Sequence, residues 1–273
     1  MKQPTVRGLT LSVCLVATLC TALLTLLSFD PKAVAVEQTR QSTVRVHRQI
    51  PKEPGGFTQG LEVRKGIIYE SVGLRGASQM RLVDLKSGKV TKRRDLDQKY
   101  FAEGSTIMAN GQILQMTWQE QIAIRRDPKT LAEKGTFTYE GEGWGICNSQ
   151  ALKALVHSDG SSTLRFRDPK TFKETGRLTV KRFDGSEVTQ LNELECEGTS
   201  VFANLWTSSE IVEINGKTGT ILRSIDASSL APKSGAPDDV LNGIAALGKG
   251  RYLLTGKRWP NYYEVSFADI TKS

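Results

Sequence analysis

The chain has 273 residues and a formal net charge of +8, with 37 Lys and Arg against 29 Asp and Glu. The basic charges are scattered, and the densest cluster, residues 89–94, is followed at once by Asp95 and Asp97. No aromatic residues alternate with this cluster to stack on bases, so the composition argues against a nucleic-acid-binding protein and favours a solvated basic surface.

The first 35 residues have the features of a targeting segment. Lys2 and Arg7 form a basic region, residues 9–29 carry no charge, and Ala33-Val-Ala35 offers a small-x-small cleavage site. We expect a signal peptide at 1–35, export to the periplasm or the medium, and a mature domain at 36–273 that is a monomer. The apolar stretch is also long enough to span a bilayer, for which about 20 residues suffice. An uncleaved anchor is therefore the alternative, and we expect membrane association only in that case.

Two kinds of short segment alternate along the rest of the chain. Core segments recur at roughly 40 to 50 residues, a period typical of repeat folds, and place Gln, Glu or Asn beside small or apolar residues: Phe57-Thr-Gln-Gly-Leu61, Phe101-Ala-Glu-Gly104, Gly141-Glu-Gly-Trp-Gly145, Leu191-Asn-Glu-Leu-Glu195 and Leu241-Asn-Gly-Ile-Ala245. Turn segments, in which Asp or Asn caps a turn through its side chain, lie between them: Asp84-Leu-Lys-Ser-Gly88, Asp127-Pro-Lys-Thr130, Asp168-Pro-Lys-Thr171 and Asn215-Gly-Lys-Thr-Gly219.

Short apolar or alternating runs between these segments predict strands and an all-β protein. Five core segments within residues 36–273 predict a five-bladed β-propeller with about four strands in each blade. The strand-like residues 43–50 precede the first core segment and have no blade of their own. We therefore expect them to pair with the C-terminal blade, which closes the ring and leaves no open edge between the first and last blades.

The mature chain has two cysteines, Cys147 and Cys196, since Cys14 and Cys20 lie in the targeting segment. An exported pair permits a disulfide. The pattern, however, places each cysteine in a central strand of a different blade, where a buried free thiol packs as a small hydrophobe. We favour two free thiols and keep the disulfide as the alternative.

Polar and aromatic residues in or near the core segments are the candidate functional residues, because the loops at one end of a propeller form a shared mouth. The polar candidates are Gln59, Glu103, Glu142, Asn192, Glu193, Asn242 and Lys257, and the aromatic candidates are Phe57, Phe101, Trp118, Trp144, Trp206 and Trp259. The residues alone also fit an inner wall without a function. Amide side chains can pair around any propeller axis, and tryptophans can fill gaps between blades.

The whole ordered string of motifs adds a family resemblance. From about residue 43 to 265 it includes the five core segments together with Tyr69-Glu-Ser71, Gln115-Met-Thr-Trp118, Ser158-Asp-Gly-Ser161, Ala203-Asn-Leu-Trp206 and Thr255-Gly-Lys-Arg-Trp-Pro260. This string resembles the plant-type glutaminyl-peptide cyclotransferases, or glutaminyl cyclases, of plants and bacteria. The resemblance implies a five-bladed propeller that converts N-terminal glutamine of peptides and proteins to pyroglutamate with release of ammonia. It also implies a pocket of nine residues, all of which match in type: Phe57, Gln59, Phe101, Glu103, Trp118, Trp144, Asn192, Trp206 and Lys257.

The chemistry of cyclisation suggests a role for each of these nine residues. We expect the five aromatic residues to grip the side chain of one glutamine. Glu103 is expected to accept the proton of the attacking amine and return it to the leaving NH₂, provided that apolar surroundings raise its pKa. Asn192 and Lys257 are expected to donate to the amide oxygen as charge develops there. Gln59 is expected to hold the α-amine or the peptide carbonyl.

No cofactor is expected, and the predicted reaction is independent of metal. The mature chain has only two histidines, His47 and His157, in separate strands and without metal-ligand spacing. The sequence leaves open a cation on the propeller axis held by carbonyl groups. The alternative function is a non-enzymatic exported propeller that binds a peptide or glycan through the same mouth. Intact Glu103 and Lys257 argue against it, since a binder has no need of a proton shuttle.

Overall fold

The computed structural model describes residues 38–233 and 235–270, which form an all-β protein. Twenty strands make up almost all of its regular structure, and a single turn of 3-10 helix at Ser228–Leu230 is the only helix among these residues. None of the described segments forms a helix with the length and hydropathy needed to cross a bilayer. The predicted signal peptide, residues 1–35, lies outside the described residues.

The strands follow one another with short connections. In chain order they are β1 (Arg40–Pro51), β2 (Thr58–Arg64), β3 (Ile67–Val72), β4 (Gln79–Asp84), β5 (Val90–Asp95), β6 (Ala102–Ile107), β7 (Ile113–Thr117), β8 (Ile122–Arg126), β9 (Glu133–Thr138), β10 (Ile146–Ser149), β11 (Ala154–Ser158), β12 (Thr163–Arg167), β13 (Glu174–Thr179), β14 (Leu191–Glu197), β15 (Ser200–Leu205), β16 (Glu210–Asn215), β17 (Ile221–Asp226), β18 (Leu241–Gly248), β19 (Arg251–Gly256) and β20 (Asn261–Asp269).

Four consecutive antiparallel strands form the repeating unit of the fold. Three units are separate sheets, β2-β3-β4-β5, β6-β7-β8-β9 and β10-β11-β12-β13. The remaining strands form one eight-stranded sheet in the order β14-β15-β16-β17-β1-β20-β19-β18. Within it, β1 is antiparallel to β20, with Thr43 opposite Ala268, and parallel to β17. The predicted pairing of residues 43–50 with the C-terminal strands is therefore confirmed.

Burial falls from the first strand of a unit to the fourth. Every residue of β6 and β7 is buried, whereas β5 and β13 are largely exposed. This gradient explains the sequence pattern, because strands covered on both faces are rich in apolar residues and edge strands carry charge. Buried apolar side chains fill the space between units: one cluster joins Val156 of β11 and Leu164 of β12 to Leu194 of β14 and Val212 of β16.

The predicted Asp and Asn turns connect the third and fourth strands of four units. Asp127 is representative: its Oδ1 accepts hydrogen bonds from the backbone N–H of Lys129 and Thr130, at 3.0 and 2.8 Å. Asp168 makes the same contacts one unit later. These turns are local in sequence, which is why the motif alone predicts them.

The first strands of successive units lie against one another. β2 contacts β6, β6 contacts β10, β10 contacts β14, β14 contacts β18, and β18 contacts β2. Gly104 N donates to Trp144 O at 2.7 Å across one such junction. A Cβ atom at Gly104 would lie 2.7 Å from that same oxygen, and one at Gly145 would overlap the carbonyl oxygen of Asn192. Only glycine permits this approach of backbones.

Cys147 and Cys196 form a disulfide, so the expectation of free thiols is wrong. Their Cα atoms are 5.5 Å apart, within the usual range for a disulfide. Cys147 lies in β10 and Cys196 in β14, which are first strands of neighbouring units and contact each other. The sequence pattern places the two residues in different units, but it does not reveal that these strands are adjacent.

Replacing Gly145 by Ala tests the close approach of the first strands. We expect Gly145→Ala to lower stability by about 1–3 kcal/mol, because the added methyl group displaces backbone rather than a flexible side chain. Gly176→Ala is the matched control, since a Cβ there meets nothing within 4 Å and its stability should be unchanged or slightly raised. Urea denaturation midpoints measure both, and equal midpoints for the two variants would contradict this account of the junction.

Candidate active site

A cavity of about 290 Å³ opens at one edge of the units. All nine residues that the sequence predicts for the pocket line it. Leu74 and Asp238 complete the lining. No motif predicts these two residues, because both lie in connecting segments that match neither the core nor the turn motif.

Strand direction explains why the nine residues converge. Phe57, Gln59, Phe101, Glu103, Trp144 and Asn192 lie at or just before the start of a first strand, and Trp118, Trp206 and Lys257 directly follow the end of a second strand. First and second strands are antiparallel, so the start of one and the end of the other share an edge of the sheet. Side chains from all four sheets therefore meet at one place.

Aromatic rings form the walls of the cavity. Phe101 is edge-on to Phe57 and to Trp118, with ring centroids 6.3 and 5.7 Å apart, and Trp144 is edge-on to Trp206 at 5.5 Å. Edge-to-face pairs of this kind hold aromatic rings in defined orientations. Because the four aromatic rings other than that of Phe57 are only partly buried, they are available to a ligand.

Glu103 lies at the bottom of the cavity and is 5% exposed. Its Oε1 accepts a hydrogen bond from Gln59 Nε2 at 2.8 Å. Burial raises the pKa of Glu103 well above its usual range, and the charge of Lys257 and the hydrogen bond from Gln59 oppose that rise only in part. A carboxyl group with a raised pKa can both accept and donate a proton near neutral pH.

The side chain of Asn242 fixes the orientation of the Gln59 amide. Asn242 Nδ2 donates to Gln59 Oε1 at 3.0 Å and to Thr58 O at 3.0 Å. With its oxygen occupied by Asn242, the Gln59 amide presents its NH₂ group to Glu103. The structure thus brings Gln59 to the carboxylate, and its expected contact with a substrate amine or carbonyl stays a prediction.

Lys257 and Asn192 line the same cavity as Glu103 and are 4% and 3% exposed. Lys257 Nζ is 5.0 Å from the ring centroid of Phe57 and 5.7 Å from that of Trp206. Burial lowers the pKa of Lys257, while the charge of Glu103 opposes that change. Asn192 Oδ1 is buried and has no hydrogen-bond partner among the described residues. Asn192 Oδ1 can therefore accept a hydrogen bond from a ligand without breaking a bond of the fold, whereas the Lys257 ammonium can only donate one.

The other candidates from the sequence lie outside the cavity lining. Glu193 is fully buried and bridges two first strands, accepting from Leu61 N at 3.0 Å and Ile244 N at 2.7 Å. Trp259 packs in the core and donates to Asp239 O. The inner-wall interpretation therefore applies to these two residues. Within the part of the chain that the structure describes, no group of three or more His, Cys, Asp or Glu residues is arranged to hold a metal ion.

The fold and cavity together define an all-β protein with a buried carboxyl group in an aromatic pocket, and comparisons with known proteins give its family. Residues 17–267 match the family model described as glutamine cyclotransferase. The chain is 39% identical over 233 residues to a glutaminyl-peptide cyclotransferase of Arabidopsis thaliana, covering 83% of this chain and 72% of that protein. It also matches the crystal structure of a Myxococcus xanthus glutaminyl cyclase, with a TM-score of 0.79, 35% identity, and coverage of 86% of this chain and all of that one. The chain belongs to the glutamine cyclotransferase family.

Proposed function

We propose that this protein is a glutaminyl-peptide cyclotransferase, which converts the N-terminal glutamine of peptides and proteins to pyroglutamate and releases ammonia. The observation that carries the proposal is the buried carboxyl group of Glu103 inside an aromatic cavity that Asn192 and Lys257 also line. The family relationship supports the same activity. A cavity of about 290 Å³ suits one side chain and the start of a peptide.

Positioning is the first contribution to the reaction. The α-amine of glutamine attacks its own γ-carboxamide carbon, so the enzyme gains rate by holding the two groups in a near-attack arrangement. The aromatic walls suit this task, because their rings pack on the aliphatic stem and on the plane of the amide. The open rim of the cavity leaves room for the rest of the peptide.

Proton transfer is the second contribution. As the new N–C bond forms, the attacking amine loses a proton to Glu103. Glu103 then donates that proton to the departing NH₂ group, the C–N bond of the carboxamide breaks, and ammonia leaves. The carboxyl group returns to its starting state, and no other proton carrier is required.

Charge stabilisation is the third contribution. Negative charge develops on the carboxamide oxygen when the amine attacks, and donors aimed at that oxygen lower the barrier. Lys257 and the amide of Asn192 are the proposed donors. Both are buried, so their interaction with the developing charge is stronger than it is in water.

We also infer that the protein is a five-bladed propeller. Its blades would be the three four-stranded sheets and the two halves of the eight-stranded sheet, β14-β15-β16-β17 and β18-β19-β20-β1. The succession of contacts between first strands, which returns from β18 to β2, supports this arrangement. The parallel pair β1 and β17 then joins two neighbouring blades at their outer strands. An experimental structure in which β18 and β2 are apart would contradict the inference.

Turnover of a Gln-initiated peptide tests the proposed activity, and Glu103→Gln tests the proton shuttle. We expect ammonia release by the wild-type protein and a fall of roughly 10²–10⁴-fold in kcat for the variant, because Gln keeps the shape of Glu but transfers no proton. For the wild type, kcat/KM should decrease as the pH falls through the raised pKa of Glu103, since the ionised form is the base.

The melting temperature of Glu103→Gln distinguishes a catalytic role of Glu103 from a structural one. A carboxyl group whose pKa is raised by folding stabilises the protein below its unfolded pKa, and that contribution is lost as the pH rises through the folded pKa. The neutral Gln removes the burial penalty, so Glu103→Gln should melt at the same temperature or higher at pH 7. Near wild-type turnover would remove Glu103 from the mechanism.

Turnover should also survive dialysis against 1,10-phenanthroline, and a loss restored by zinc would contradict metal-independent chemistry.

Export is a separate proposal, supported by the basic and apolar N-terminal sequence and by the Cys147–Cys196 disulfide, a bond typical of oxidising compartments. The mature protein should begin at Val36 and react with no thiol-alkylating reagent before reduction. Intact-mass measurement of the native protein checks both points. A membrane-bound species that retains residues 1–35 would contradict cleavage and support the anchor instead.

A further inference from the structure

One carboxylate outside the cavity lining holds two of the aromatic walls. Glu142 Oε2 accepts hydrogen bonds from Trp118 Nε1 at 2.7 Å and from Trp144 Nε1 at 3.0 Å. Trp118 follows β7 in one unit, whereas Trp144 precedes β10 in the next. The shared acceptor therefore links rings from two units across their junction.

The other carboxylate oxygen of Glu142 and the backbone of the next residue also form hydrogen bonds. Glu142 Oε1 accepts from Gln119 Nε2 at 3.0 Å, and the following residue, Gly143, donates its N–H to Trp118 O at 2.9 Å. The Glu142 carboxylate thus accepts hydrogen bonds from three donors. A backbone hydrogen bond also joins the two segments that carry Trp118 and Trp144.

A buried histidine, His157, contacts the backbone carbonyl of Glu142. His157 Nε2 lies 3.0 Å from Glu142 O, and Arg167 Nε donates to His157 Nδ1 at 3.0 Å. Because Nδ1 accepts from the arginine, Nε2 carries the proton and donates to the carbonyl. Burial lowers the pKa of His157 to about 3, with the charge of Arg167 acting in the same direction. The imidazole therefore stays neutral and keeps this tautomer throughout the working pH range.

We propose that Glu142 is a positioning residue of this site, whose carboxylate fixes the two indole rings in one arrangement and so sets the width of the glutamine pocket. The inference rests on the proposed cyclotransferase function. Charged hydrogen bonds are stronger than neutral ones and more demanding in direction, which suits a group that must hold two large rings. Glu142 does not line the cavity, so its effect on the substrate passes through Trp118 and Trp144.

The charge of Glu142 also reaches Glu103. The charged groups facing Glu103 are Lys257, which lowers its pKa, and Glu142 and Glu120, which raise it. Burial raises the pKa of Glu142 itself, but hydrogen bonds from Gln119 and the two indoles reverse this, and the net direction is downward. Glu142 is therefore ionised when Glu103 titrates. Removing its charge should shift the acid limb of the activity profile to lower pH.

Three variants distinguish the effect of Glu142 on the position of the two indole rings from the effect of its charge on Glu103. Glu142→Gln keeps an oxygen acceptor for both indoles but removes the charge, so KM should stay within about threefold while the acid limb of kcat/KM moves to lower pH. Glu142→Ala removes the acceptor as well, and KM should rise about tenfold or more with a smaller change in kcat, the pattern of lost uniform binding. Glu140→Gln is the matched control: Glu140 is exposed two residues away, and neither KM nor the pH profile should change.

Near-ultraviolet circular dichroism of the same samples reports the tryptophan environment without turnover. The tryptophan bands should weaken in Glu142→Ala and persist in Glu142→Gln and Glu140→Gln. Wild-type KM and unchanged tryptophan bands in a folded Glu142→Ala protein would overturn the inference. If Glu142→Ala does not fold, an unshifted acid limb or a tenfold higher KM in Glu142→Gln would overturn it instead. A wild-type protein that releases no ammonia would overturn the proposed function, while the spectra would still show whether Glu142 holds the two rings.

Discussion

The close approach of the first strands is the constraint on which the rest of this structure depends. At Gly104 and Gly145 the neighbouring backbone occupies the space of a Cβ atom, and Gly104 N donates directly to Trp144 O. Packing this tight leaves no space for side chains between the strands at these positions. The adjacent residues, Glu103 and Trp144, consequently project at the edge where the cavity lies. The same glycines that allow the units to meet thereby place the functional side chains, which explains why glycine accompanies the polar residue in most of the core segments.

Burial of the Glu103 carboxyl group is unfavourable for the stability of the fold and favourable for its proposed role in proton transfer. A carboxylate taken out of water is unfavourable unless it is paired, and here the pairing is incomplete. Gln59 supplies one hydrogen bond, Asn242 fixes the direction of that bond, and the positive charge of Lys257 lowers the pKa of Glu103. This partial compensation leaves the pKa of Glu103 raised, which suits the proposed role of this group as base and then acid. Full pairing would stabilise the fold and remove that capacity.

The parts of the fold that depend on local sequence could be predicted, and the parts that depend on contacts between units could not. The turns at Asp127 and Asp168 follow from side-chain capping within four residues, and the strands follow from apolar runs between such turns. The nine pocket residues could be chosen because they lie in motifs of an ordered string. The Cys147–Cys196 bond was missed because only the packed structure makes β10 and β14 neighbours. Asp238 lies in no motif, and the contact between Gln59 and Glu103 depends on side-chain orientation that no pattern encodes.

The most direct test is a crystal structure of the Glu103→Gln variant with an uncyclised Gln-initiated peptide, since this change should leave binding intact and slow the chemistry. We expect the N-terminal glutamine to lie between the aromatic walls, with its α-amine within hydrogen-bond distance, about 2.6–3.2 Å, of the side chain at position 103. Its carboxamide oxygen should face Asn192 and Lys257. A peptide bound with its amine directed to solvent, or bound at another surface with the cavity empty, would contradict the central claim that this pocket performs the cyclisation.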